Sequence, residues 1–150
     1  MGARFWYHQR PWERPLAARW NGSRWTLASP PTPSAGAWLS GVDGSATNDV
    51  WAVGATGTAT LIQRWNGTAW SGVLSPSPAG ASSASLRGIK TFGASGAWAV
   101  GNAVVPTASP SSRTLIQLWD GTRWSIVDSP SPDPTQNLLV AVDGVAEDDV

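Results

Sequence analysis

No cysteine occurs among the 150 residues, and there is a single histidine, His8. Disulfides, thiolate metal sites and a cysteine nucleophile are thereby excluded. A multi-histidine metal centre or a Ser-His-Asp arrangement has almost nothing to draw on. His8 itself reads as an exposed loop imidazole. Charge is scarce as well: 13% of residues are charged, the formal net charge is zero, and the basic residues are scattered. That leaves no electrostatic footprint for nucleic acid or an anionic membrane surface. The apolar runs are too short for membrane insertion. The opening MGARFWYHQRPWERP lacks the continuous apolar stretch of a secretory signal. No segment keeps a 3.6-residue period for three turns, so no helix is expected.

What is abundant is tryptophan, with eleven residues, and it recurs in order. RWNGSRW (Arg19 to Trp25) returns as RWNGTAW (Arg64 to Trp70) and as LWDGTRW (Leu118 to Trp124), placing Trp20, Trp65 and Trp119 at spacings of 45 and 54 residues. DVWAVG at Asp49 to Gly54 returns as GAWAVG at Gly96 to Gly101. Ser-Pro follows each of the three pairs, at Ser29-Pro30, Ser75-Pro76 and Ser129-Pro130. Several markers recurring in one order at about 50 residues define an internal repeat.

Each repeat reads as four short strands. The first is LSGVD (Leu39 to Asp43), with LRGIK and LVAVD as counterparts; the second is VWAVG, apolar enough for burial on both faces. TLIQRW and TLIQLW form the third, and the fourth begins at the second tryptophan of each pair, ending at proline. Asn-Gly or Asp-Gly between the paired tryptophans suits a two-residue type I′ turn. In that register Trp20 lies opposite Ser23, Trp25 lies opposite Ala18, and both indoles share one face as diagonal neighbours. The expectation is that Trp20, Trp25, Trp65, Trp70, Trp119 and Trp124 are buried structural staples. Trp51 and Trp98 belong to the second strand, and Gly22, Gly67 and Gly121 supply the turns. NGS and NGT also match a glycosylation sequon, but Asp120 in the third copy keeps the turn and loses the sequon.

The expected fold class is all-β: a partial β-propeller of four-stranded antiparallel blades of about 50 residues. Residues 1–30 would give the outer strands of a first blade, 38–75 a second blade, 85–129 a third, and 138–150 the inner strand of a following one. Both ends fall at the same phase of the repeat, since Gly2 precedes Trp20 by the 18 residues that separate Gly101 from Trp119. The chain is accordingly expected either to continue in further blades of the same protein or to assemble with a second copy, most simply as a six-bladed dimer.

The pattern DVWAVG, then TLIQRWNGTAW, then Ser-Pro resembles kelch-type blades and the tryptophan-rich propeller repeats of bacterial extracellular proteins. The kelch glycine pair is reduced here to single residues, Gly54 and Gly101, which places the chain beside kelch proteins rather than among them. The resemblance implies a binding or scaffold module, with extracellular or cell-surface location.

Chemistry is sparse. Glu147, Asp148 and Asp149 read as a solvated turn rather than a metal site, and no phosphate-cradling glycine loop is present. No cofactor and no metal are expected, and no catalytic residue is named. Subtracting the repeat leaves Phe5, Trp6, Tyr7, Trp12 and Trp38 without aromatic counterparts. With Gln9, Arg10, Glu13 and Arg14 they form a loop group that could stack sugars or peptide side chains; its ligand-binding candidates are Trp6, Tyr7, Arg10, Trp12 and Trp38. The expected function is a non-enzymatic protein-interaction or scaffold segment. The alternatives are a glycan-binding propeller using those aromatics, or the propeller part of an enzyme whose catalytic residues lie elsewhere.

Overall fold

The computed structural model describes residues 15–33 and 36–150. Ten strands run in chain order: β1 (Ala17–Trp20), β2 (Trp25–Ala28), β3 (Ala37–Ala46), β4 (Asp49–Thr56), β5 (Ala59–Trp65), β6 (Trp70–Val73), β7 (Ser83–Thr91), β8 (Ala97–Val104), β9 (Ser112–Trp119) and β10 (Trp124–Val127). Among the described residues there is no helix, and hence none long and apolar enough to cross a membrane. The strands form two antiparallel four-stranded meanders, β3-β4-β5-β6 and β7-β8-β9-β10, and a two-stranded hairpin, β1-β2. Neither meander closes on itself.

The alternation of side chains explains the layering. β4 and β8 are the second strands of their sheets and are buried along almost their whole length, as VWAVG and AWAVG require. The core gathers Trp51, Val53 and Ile62 of one sheet with Leu86, Ile89, Ala99, Leu115, Trp119 and Trp124 of the other. The first strands approach most closely. A Cβ on Gly41 would lie 2.7 Å from the carbonyl oxygen of Arg87, and a Cβ on Gly88 would lie 2.9 Å from Cα of Ala141. Only glycine lets these backbones meet.

The connections are pinned by buried glutamines. Gln117 on β9 donates from Nε2 to the Pro76 carbonyl at 2.7 Å and accepts from the Ser75 hydroxyl at 3.1 Å. Gln63, its counterpart on β5, donates to the Pro31 carbonyl at 2.6 Å. Counted from the hairpin tryptophans, Ser75 and Ser129 correspond to Pro30, not Ser29. The first copy therefore has no hydroxyl at that point, and Gln63 Oε1 is buried without a partner among the described residues.

Two expectations need correction. The hairpin turn is not a two-residue one. Trp20 pairs directly with Trp25, Trp65 with Trp70 and Trp119 with Trp124, leaving four residues in each loop. Asn21 Oδ1 accepts the backbone N–H groups of Ser23 and Arg24, both at 3.0 Å, and Asn66 and Asp120 do the same in their copies. This side-chain closure replaces positive φ at the first turn residue, so only the glycine is left-handed: φ is 102° at Gly22, 101° at Gly67 and 93° at Gly121. Arg24 consequently lies in the loop, and Arg19 faces Thr26.

The second correction concerns Leu139 to Asp143, which is not a strand. It lies beside β7, with the Leu139 N–H donating to the Gly101 carbonyl at 3.2 Å and Lys90 Nζ 2.7 Å from Asp143 Oδ1. A strand requires a lateral ladder partner; in residues 138–150 there is only the isolated bridge between Ala146 and Asp149.

Candidate functional site

The three tryptophan pairs have the same internal geometry. Their ring centroids are 5.8 Å apart in the Trp20–Trp25 and Trp65–Trp70 pairs and 5.9 Å apart in the Trp119–Trp124 pair, each tilted by about 50°. Their surroundings differ. Trp119 and Trp124 are 7% and 5% exposed, Trp65 and Trp70 are half-buried, and Trp20 and Trp25 are 39% and 47% exposed. The expectation of six buried staples therefore holds in full only for the third pair. A hairpin brings its own indoles together, but covering them takes a neighbouring sheet.

At the third pair the cover is Trp51. Its ring lies 5.0 Å from Trp119 and 5.4 Å from Trp124, edge-on to the latter. Its other side is capped by Arg64, whose guanidinium carbon stands 4.7 Å from the ring centre. Arg64 is in turn held by Asp49 at 2.8 Å, and Asp49 accepts the Ser45 hydroxyl at 2.7 Å. An indole of the first sheet is thus clasped by a pair on the second, with a cation on its outer face. Trp98, the counterpart of Trp51, is half-buried and donates its N–H to the Glu147 carbonyl at 2.8 Å.

At the second pair the corresponding place is a cleft of about 520 Å³ between the β1-β2 hairpin and the β3-β4-β5-β6 sheet. One wall is Ala17, Ala18, Arg19, Trp20 and Ala28; the other is the β3-to-β4 turn with Val42 and Val50, and Trp65 and Trp70. Arg19, counterpart of Arg64, lies with its guanidinium carbon 5.9 Å from the Trp65 ring centre. The indole N–H of Trp65 is buried without an acceptor among the described residues, whereas that of Trp119 donates to the Ala94 carbonyl at 3.3 Å. Asp43 borders the cleft with one carboxylate oxygen, Oδ2, engaged. It accepts the Thr91 backbone N–H at 2.7 Å and the Thr91 hydroxyl at 2.9 Å, tying β3 to β7. The described walls offer aromatic faces, small side chains, the hydroxyls of Ser45 and Thr47, one cation and the Asp43 carboxylate.

This is not the group singled out by subtracting the repeat. Trp6, Tyr7, Arg10 and Trp12 lie outside the described residues. Trp38 is half-buried near the start of β3 and pairs with Ala55, away from the turn that borders the cleft. Trp65 and Trp70 were assigned wholly to structure, so the cleft was missed.

Compared with family models, with curated proteins and with solved structures, the chain matches none.

Proposed function

We propose that the chain is a segment of a β-propeller that serves as a non-enzymatic scaffold and protein-interaction module of an extracellular bacterial protein. The observation that carries this reading is the constant offset between successive units. Gly41 meets Arg87 and Gly88, Gly88 meets Ala141, and the buried glutamine of each sheet reaches back to the proline that precedes its own unit. First strands in side-by-side contact, with each meander running outward from them, are the arrangement of blades about an axis. The partners in this reading are further blades of the same protein, a second copy, or another protein docking on the aromatic cleft. The glycan alternative draws only on the loop aromatics, of which Trp38 alone is described.

Small-angle X-ray scattering tests the arrangement. Sheets fanning out from β3 and β7 give a wedge, and a profile fitted only by flat parallel layers would sink the propeller reading. Incubation with a bound protein partner should leave that partner covalently unchanged, and reproducible cleavage or modification would sink the non-enzymatic one.

A further inference from the structure

Two of the three hairpin loops carry Asn-Gly, at Asn21-Gly22 and Asn66-Gly67. In this dipeptide the side-chain amide is open to attack by the next backbone nitrogen, because glycine puts no Cβ beside it. The second loop holds that amide in a way that favours the attack. Asn66 Oδ1 accepts three hydrogen bonds: from the Thr68 N–H at 3.0 Å, the Thr68 hydroxyl at 2.8 Å and the Ala69 N–H at 2.9 Å. Backbone N–H groups only donate, which fixes the oxygen, and not the nitrogen, at that end of the amide. Asn66, Thr68 and Ala69 are exposed, so water reaches the loop. The third loop carries a carboxylate in the same place. Asp120 Oδ1 accepts the Thr122 N–H at 2.8 Å, the Thr122 hydroxyl at 2.6 Å and the Arg123 N–H at 2.9 Å. An acid therefore closes this loop with the same three bonds as an amide.

We propose that Asn66 is a self-modification site, converted to aspartate by hydrolytic deamidation within the folded loop. The Gly67 nitrogen gives its proton to hydroxide and attacks Cγ of Asn66. The new N–C bond closes a five-membered ring, and the carbonyl electron pair moves onto Oδ1. The three donors then act as an oxyanion hole for the developing charge. Collapse of the intermediate breaks the Cγ–Nδ2 bond, and Nδ2 takes a proton from water and leaves as ammonia. Water opens the resulting succinimide. Addition at the side-chain carbonyl gives aspartate, and addition at the main-chain carbonyl gives isoaspartate. The balance is one water consumed and one ammonia released. The aspartate re-forms the closure seen at Asp120, and the formal net charge of zero becomes minus one. Deamidation thus turns the second loop into a chemical copy of the third.

The test incubates the full chain in mildly alkaline buffer, folded and in guanidinium chloride, and follows the peptide containing Asn66 by mass spectrometry. Asn66 should be lost from the folded chain at least as fast as from the unfolded one. Thr68→Val removes the hydroxyl donor and should slow the folded reaction about fivefold, the worth of one hydrogen bond. Thr68→Ser, which installs the residue of the first loop, should keep the parent rate. In guanidinium chloride all three chains should react alike. Asn66→Asp supplies the product directly and should melt cooperatively close to the parent. Asn66 persisting in the folded chain while the unfolded chain deamidates would overturn the proposal, and that comparison needs no variant. So would a folded-to-unfolded rate ratio unchanged by Thr68→Val, or an Asn66→Asp chain that fails to fold.

Discussion

The β1-β2 and β9-β10 hairpins are written in nearly the same residues, RWNGSRWTLA and LWDGTRWSIV, and close with the same loop and nearly the same indole geometry. One tryptophan pair is exposed over a little less than half of its surface and the other is core. The difference lies in the neighbour. Trp51 arrives from the adjacent sheet at the third hairpin, whereas no described residue does the same for the first. Local chemistry therefore sets the hairpin, and inter-sheet packing decides whether its aromatic face contributes burial energy. A tryptophan buries about 150–250 Å², so at about 25 cal/mol per Å² the covered face contributes several kcal/mol that the open one does not.

The sharpest way to break this comparison is to remove the clasp. Trp51→Ala should cost about 3–5 kcal/mol, the range for deleting a large buried aromatic. Trp98→Ala, at the equivalent strand position but without a tryptophan pair around it, should cost clearly less. Urea denaturation followed by circular dichroism measures both. Equal midpoints for the two variants would mean that the clasp adds nothing beyond the strand itself.

A smaller effect tests the loop shared by all three hairpins. Gly67 has φ of 101°, and a Cβ there would stand 2.9 Å from Cβ of Asn48. Gly67→Val should destabilise by about 1–3 kcal/mol through backbone strain alone, with the Asn48 contact adding to it. Ala69→Ser, two residues on, is exposed and should shift the melting temperature little. The two melts coinciding would contradict the placement of the turn.

The smallest effect separates the third hairpin from the other two by pH. Asp120 is held down from 3.8 to about 2, first by the Thr122 hydroxyl and then by the backbone N–H groups of Arg123 and Thr122. Its folded pKa is depressed, so the ionised side chain favours the fold above pH 3.8 and that contribution fades as the pH falls toward about 2. Asn21 and Asn66 close the same loop without titrating. Asp120→Asn should therefore flatten part of the acid limb of a stability-versus-pH curve. The remainder belongs to residues such as Asp133, held at about 2 chiefly by the Thr135 hydroxyl. An unchanged acid limb in the variant would remove the Asp120 closure as a source of pH dependence.

Strand positions were legible in the sequence because the repeat supplies independent copies of each: VWAVG and TLIQRW fall on β4 and β5 within a residue or so. The turn was misread because Asn-Gly fits two loop lengths. The deciding feature was the asparagine side chain, whose oxygen caps two N–H groups and makes positive φ at that residue unnecessary. The expected strand from Leu139 to Asp143 failed for a different reason: strand pattern is local, but a strand exists only where another pairs with it. The Pro30-for-Ser75 exchange was hidden by aligning on Ser-Pro rather than on the hairpin tryptophans. The cleft was illegible as a site because its walls are repeat residues. Nothing in Trp65 or Trp70 taken alone distinguishes a covered pair from an open one.

The claim that the sheets are joined by one indole held in a pair on its neighbour is tested most directly by a double-mutant cycle on Trp51 and Trp124, whose rings are 5.4 Å apart. Contacting residues of this kind couple by about 0.5–3 kcal/mol. The double variant Trp51→Ala/Trp124→Ala should therefore be more stable than the sum of the single losses implies, by at least 1 kcal/mol on that scale. The same cycle on Trp98 and Trp124 should come out additive. Additivity in the Trp51 cycle would contradict the clasp.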